Sequence, residues 1–324
     1  MRRSVFALFV AAGASVALFA HASPPAQPAA SGLKLIWTVA TGLQAPESAY
    51  YHEPSNSIFV SSINGQVLEK DGNGYITRIA PSGRVFAEKW ATGLNAPKGI
   101  RSIGNTIWVA DSDEVVGFDV AGTEAGRFVA RVKVEGSQFL NDLATSADGT
   151  IYVSDSNQSR IYMVKDGRSS IFVEGVEVVE QPNGLLVDGD RLILGTIGPA
   201  PAGAGRGRGG ASGGGKLIAF DLKTKARTLI TTEPVGGVDG IEKWEDGSLL
   251  VTDVLGNRLL SVTRNGQVLT LMTFTQAGAD FGYIPQTVTF PTALSYQPVI
   301  VVPFLFGNSV SAFRLPGPRA QIAR

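Results

Sequence analysis

Cysteine is absent from this 324-residue chain, which excludes disulfides, thiolate nucleophiles and structural zinc ribbons. Histidine is nearly absent: His21 and His52 are too few for a histidine-rich metal centre. Net charge is absent too, since 28 Lys+Arg balance 28 Asp+Glu. No long-range field therefore recruits nucleic acid or an anionic membrane, and a nucleic-acid partner is not expected. Beyond the N-terminal segment no apolar run approaches the ~18 residues of a membrane span. No long 3.6-residue periodicity follows residue 32, so helix content should be small. The chemistry left to the chain uses carboxylates, amides, hydroxyls and lysine. Glycine, by contrast, is plentiful at 39 residues, which points to many tight turns.

The N-terminus reads as an address. Arg2 and Arg3 precede an apolar run from Val5 to Ala20, and Ala20-His21-Ala22 has the small-x-small spacing of a signal-peptidase site. Residues 1–22 are thus predicted to be a signal peptide cleaved after Ala22, with an uncleaved anchor as the alternative. A periplasmic or secreted protein with no membrane span after cleavage follows. Residues 23–32, rich in Pro, Ala and Ser, read as a flexible spacer. Residues 33–316 form one domain, and 317–324 a C-terminal tail.

That domain repeats. ATGLQAPE (Ala40 to Glu47) and ATGLNAPK (Ala91 to Lys98) match at six of eight positions. LNDLATSADGTIYVSD, PNGLLVDGDRLILGT and VDGIEKWEDGSLLVTD keep the same order of polar residue, short apolar run, turn and strongly apolar strand. The leading polar residues are Glu47, Lys98, Asn141, Asn183, Asp239 and Asp280, spaced by 41 to 56 residues. Short strands with DG and NG turns at such a period are the signature of a β-propeller with four strands per blade. The predicted second strands are 58–62, 106–111, 150–155, 191–196, 248–253 and 299–304. The last repeat stops after a third strand at 309–313, whereas the chain begins with a lone strand at 33–39. That strand is predicted to complete the last blade, closing an all-β, six-bladed ring.

Topology then predicts a functional face. The leading residues should converge at one end of the central channel, overhung by insertions at 62–74 and 196–215 between second and third strands. Glu47, Asp239 and Asp280 would repel one another there unless a cation is bound. With Asn141 and Asn183 they offer hard oxygen ligands, suited to Ca²⁺ first and to Mg²⁺ or Mn²⁺ as alternatives. The other reading is that these side chains only tie down the starts of the inner strands, because Asp and Asn are ordinary turn formers.

The succession APE, LND, PNGL and VDGI at blade intervals resembles the senescence-marker-protein/gluconolactonase/luciferin-regenerating-enzyme-like family of six-bladed, metal-dependent lactonases, over about residues 35–315. The resemblance implies Glu47, Asn183 and Asp239 as metal ligands, Asn141 beside metal and substrate, and Asp239 as general base. It implies hydrolysis of a lactone. Sugar lactonases often carry Arg two positions before the third-blade Asn, where this chain has Phe139. The substrate would then be a more apolar lactone or ester, lined by Lys98, Phe139, Asn141 and Asp280.

Other features read as structure. Asp111, Asp155 and Asp253, with Asn257 and Asn308, are expected to cap turns. His52 has a packing or exposed role, and no G-x-S-x-G supports a Ser-His-Asp triad. The GRGRGG stretch in residues 201–215 opens no helix, so it reads as a flexible, weakly basic lid rather than a phosphate loop. VSDSNQSRIYMV and VTDVLGNRLLSV also resemble NHL repeats, whose propellers are frequently scaffolds. A non-catalytic periplasmic propeller binding a small molecule or protein is therefore the alternative to the hydrolase.

Overall fold

The computed structural model of the protein describes residues 33–121, 126–198, 214–285 and 297–316. The predicted signal peptide, spacer and tail, and most of the glycine-rich insertion, lie outside the described residues. Among the described residues no helix is long and apolar enough to cross a membrane.

Strand β1 (Lys34–Val39) stands apart at the start. The first blade is then β2 (Pro46–His52), β3 (Ser57–Ser62), β4 (Gly74–Ile79) and β5 (Val85–Leu94), and the second is β6 (Pro97–Ile103), β7 (Thr106–Asp111), β8 (Glu114–Asp119) and β9 (Arg127–Lys133). The third comprises β10 (Leu140–Thr145), β11 (Ile151–Asp155), β12 (Arg160–Lys165) and β13 (Arg168–Glu174), followed by a single helical turn, α1 (Val176–Val179). Blade four is β14 (Pro182–Asp188), β15 (Arg191–Thr196), β16 (Leu217–Asp221) and β17 (Arg227–Leu229); blade five is β18 (Val238–Lys243), β19 (Leu249–Asp253), β20 (Arg258–Val262) and β21 (Val268–Thr273). The last blade holds β22 (Gly282–Ile284), β23 (Val299–Phe304) and β24 (Ser309–Arg314), and β1 pairs with β24 to complete it. Six four-stranded antiparallel sheets result, as the repeat count predicts. The fold is a six-bladed β-propeller.

The second strands are apolar at nearly every position because a blade is covered on both faces. In β3, Ile58 and Val60 pack against Val301, Val310 and Ala312 of the last blade, while Phe59 packs against Trp90, Ile100 and Ile107 toward the second. The same alternation builds an apolar core in each of the six inter-blade spaces. Each fully buried Val, Ile or Phe contributes roughly 1.5–3 kcal/mol. The two-residue DG turn between β12 and β13 has positive φ at both Asp166 and Gly167 (51° and 73°), as a type I′ turn requires.

Closure rests on β1. It runs antiparallel to β24 from Lys34 opposite Arg314 to Val39 opposite Val310. Trp37 Nε1 donates to the Pro81 carbonyl at 2.9 Å, and the hydroxyls of Thr38 and Ser311 lie 2.8 Å apart. The N-terminal strand is therefore fastened to both the last blade and the first.

Candidate functional site

In five blades the inner strand carries one irregularity near its start. Pairing with the second strand shifts between Pro46 and Ala49, Pro97 and Ile100, Leu140 and Leu143, Pro182 and Leu185, and Val238 and Ile241. A β-bulge of this kind inserts one extra residue and re-aims a side chain out of the strand's alternation. The first residue of the bulge is Glu47, Lys98, Asn141, Asn183 or Asp239 in turn, and none is more than 2% exposed. Five predicted site residues thus occupy equivalent positions at one end of the inner strands.

The sixth does not. Gly278 bridges Phe304 at the end of β23 as Pro46 pairs with Ser62 at the end of β3, so the residue matching Glu47 is Ala279. The hydroxyls agree: Ser154 Oγ donates to the Asn183 carbonyl at 2.7 Å, and Thr252 Oγ1 donates to the Ala279 carbonyl at 3.0 Å. Asp280 lies one residue further on, bridged to Ser48 and equivalent to it. Its carboxylate accepts from Ser48 Oγ at 2.6 Å and pairs with Arg101 at 3.1 Å. The predicted place of Asp280 in the ring is off by one residue, because the ring position in this blade is a methyl group that no polar motif marks. The ring then carries two carboxylates against one ammonium, a formal charge of minus one rather than minus two.

Hydroxyls and carboxylates of the second strands hold the bulges. Ser61, Ser154 and Thr252 accept from the orphaned N–H groups of Ser48, Asp142 and Gly240 at 2.9, 3.0 and 2.8 Å. The carboxylates expected to cap turns do more. Asp155 accepts from Asn157 and Gln158 in the turn, and also from Gln138 and Phe139 leading into its own inner strand. Asp111 does the latter for Asn95 and Ala96, and Asp253 for Gly237. Asn308 reaches across blades, its Oδ1 accepting from Ala45 N–H at 2.8 Å. The VSD and VTD endings in the sequence were the available signal for this scaffold. His52 packs at the opposite end, 1% exposed, with Nε2 3.0 Å from the Gly104 carbonyl.

Within the ring, Asn183 Nδ2 donates to Asp239 Oδ1 at 3.2 Å, while Asn183 Oδ1 is a buried acceptor with no hydrogen bond. Such an oxygen beside a carboxylate fits a hard cation. Among the described residues no three Asp, Glu, His or Cys side chains are placed so that they alone could hold a metal ion, so a cation here would draw on asparagine oxygens as well as carboxylates. Lys98 Nζ donates to the Ala96 carbonyl at 2.8 Å and sits 4.8 Å from the centre of the half-buried Phe139 ring. Asn141 Nδ2 lies 3.4 Å from Ser156 Oγ.

Close packing of the inner strands explains the glycine of PNGL. A Cβ built on Gly184 would stand 2.0 Å from the Asp239 backbone carbonyl. Backbone cannot rotate away, so Gly184→Ala must push β14 and β18 apart. It is expected to destabilise the fold by about 1–3 kcal/mol, read by denaturant titration, and a wild-type unfolding midpoint would contradict this packing.

Beneath the ring lies Arg101, whose guanidinium faces Asp280, Asp142 at 3.8 Å and Glu242 at 3.9 Å. Burial works against its charge, but the three carboxylates outweigh it and raise its pKa. Burial, helped by Asp280, lifts Asp142 well above the carboxylate range against the pull of Arg101. Burial likewise pushes Glu242 up to about 7, opposed by Arg101. A carboxyl raised in this way keeps its proton longer when folded. It favours folding below its unfolded value of 4.5 and loses that contribution as pH climbs through about 7. The stability difference between wild type and Glu242→Gln should therefore fall by on the order of 2 kcal/mol across this window. His52, lowered by burial, acts in the opposite sense but is common to both proteins. A flat difference between the two melting curves would remove Glu242 as a titrating group.

No family profile and no curated protein matches the sequence. Solved structures share its fold. A gluconolactonase from Xanthomonas campestris superposes with a TM-score of 0.57 at 15% identity, over 88% of this chain and 89% of that one. A second structure assigned as a gluconolactonase gives 0.57 at 12%, over 89% and 93%. A streptogramin B lyase gives 0.56 at 10%, over 88% and 97%. At these identities the likeness is one of fold, the six-bladed propeller described above.

Proposed function

We propose that the protein is an exported hydrolase of the senescence-marker-protein/gluconolactonase type, dependent on a divalent cation, with Ca²⁺ the first choice, that opens a lactone or related ester. The observation that carries this reading is the buried Asn183 Oδ1, without a hydrogen bond, set against the carboxylate of Asp239. Glu47, Asn183 and Asp239 would hold the ion, which when bound supplies Lewis-acid polarisation of the substrate carbonyl. Asp239 accepts the proton of the attacking water. The water oxygen bonds to the carbonyl carbon, the ring C–O bond breaks, and the proton passes from Asp239 to the leaving alkoxide. Asn141 orients the reacting group. Lys98 and Phe139 form the substrate wall, and Asp280 supports the layer below in place of a direct substrate contact.

The substrate is an apolar lactone or ester rather than a sugar acid. Phe139 stands where a hydroxyl-binding arginine would serve a sugar, and Leu68, Leu255 and Phe306 are exposed in second-to-third-strand connections on the same face. Residues 1–22 direct export, and sequencing the mature N-terminus should find Ser23 first.

The test is hydrolysis of paired apolar and hydroxylated lactones and esters after mild EDTA treatment and after calcium is restored. Turnover of the apolar members that disappears with EDTA and returns with calcium is expected. Tightly held calcium with no turnover anywhere in the panel would replace this reading with a binding scaffold.

A further inference from the structure

Arg101, on the inner strand of blade two, contacts residues of blades one, three, five and six directly and reaches blade four through Asp142. It lies on β6 with 7% exposure. Its Nη1 donates to the Ile100 carbonyl at 2.7 Å and to Asp280 Oδ2 at 3.1 Å, and Nη2 faces Asp280 Oδ1 at 3.5 Å. Asp142 of blade three and Glu242 of blade five complete its ion pairs, and the Tyr50 ring of blade one is 5.8 Å from the guanidinium carbon. The carboxylates extend the network. Asp142 Oδ2 accepts from the Leu185 N–H of blade four at 2.7 Å, and Asp280 Oδ2 accepts from Ser48 Oγ of blade one at 2.6 Å.

We infer that Arg101 is a positioning residue, an internal cation that clamps the six inner strands at the channel axis and thereby fixes the spacing of the polar ring above it. Its partners are neighbours of the ring residues along the chain. Ser48 follows Glu47, Asp142 follows Asn141, Leu185 is two residues beyond Asn183, and the Asp280 N–H donates to the Glu47 carbonyl at 3.1 Å. A shift of the guanidinium is passed to those residues through one or two peptide units. Three carboxylates around one fork also explain why the cation is arginine. A planar guanidinium spreads five N–H donors over a wide rigid fork and can face all of these acceptors, whereas an ammonium presents three donors from a single nitrogen. Without it, Asp142, Glu242 and Asp280 would face one another in a space from which water is largely excluded.

The clamp itself does not depend on the proposed reaction, but its consequence for cation binding rests on that reading, so the test has two arms. In the first, Arg101→Ala is melted with millimolar guanidinium chloride or with equimolar urea. Guanidinium should raise the melting temperature of the variant saturably, or restore its yield on refolding, and should leave wild type unimproved; urea should do neither. Absence of a guanidinium-specific effect overturns the clamp whether or not the protein is a hydrolase. In the second, calcium is titrated into Arg101→Lys, which keeps the charge but not the fork, at a temperature where circular dichroism shows it folded. Calcium binding weakened at least ten-fold, with a larger loss in kcat than in KM, supports positioning. Wild-type calcium affinity in the folded variant reduces Arg101 to a purely structural role. If wild type itself neither binds calcium nor hydrolyses the lactone panel, the proposed reaction fails and the guanidinium arm alone decides the clamp.

Discussion

Asp239→Asn should lower lactone hydrolysis by about 10³-fold or more while leaving the fold intact. Loss of a general base alone typically costs 10²–10⁴ in rate, and here the same substitution removes a negative charge from the proposed cation site. The fold should survive because the amide is isosteric and the contact with Asn183 persists. Asn183 Nδ2 donates to Oδ1 at position 239, and an asparagine there still presents an acceptor oxygen. Kinetics on the best substrate, with a melting curve beside them, read both quantities. Turnover within ten-fold of wild type would mean that neither the proton nor the ion depends on this carboxylate.

Removing residues 1–39 should open the ring. Without β1 the last blade keeps only β22, β23 and β24, and the edge of β24 from Val310 to Arg314 loses its partner. The apolar core between the last and first blades also loses Trp37 and Val39, which pack against it. A propeller that lacks its clasp exposes an unpaired strand edge, which invites association with another copy. A fall in melting temperature of more than about 10 °C, equivalent to several kcal/mol for a domain of this size, and a shift to larger species on gel filtration are expected. Deletion of residues 1–32 alone should leave the melting temperature unchanged. If both truncations behave alike, closure does not rest on β1.

These expectations depend on features that were unevenly visible in the amino-acid order. Strands such as TIWVAD and RLILGT, with DG and NG turns between them, declare themselves because apolar runs and left-handed turn residues act over a few positions. Ring closure was legible because the last repeat stopped one strand short while a lone strand preceded the first. The ring residues were visible where the motif supplied a polar side chain at the bulge, as in PNGL and VDGI. They were lost where it did not: Ala279 is silent, and the neighbouring Asp280 drew attention one position too far. A bulge makes such a slip costly, since adjacent residues there belong to different layers. Arg101 carried no signal in KGIRSI, because the acids that define it lie on other blades, one of them 179 residues away. Ser154 and Thr252 were read as parts of apolar strands, although each serves a bulge in its own blade and a carbonyl in the next.

The most direct measurement is a calorimetric titration of calcium into EDTA-treated protein, run in parallel on wild type, Asn183→Ala and Asp239→Asn. A cation held by Glu47, Asn183 and Asp239 predicts one equivalent bound by wild type and a loss of at least ten-fold in affinity in each variant, with all three proteins folded. Binding that is absent from wild type, or unaltered by both substitutions, would contradict the proposed centre.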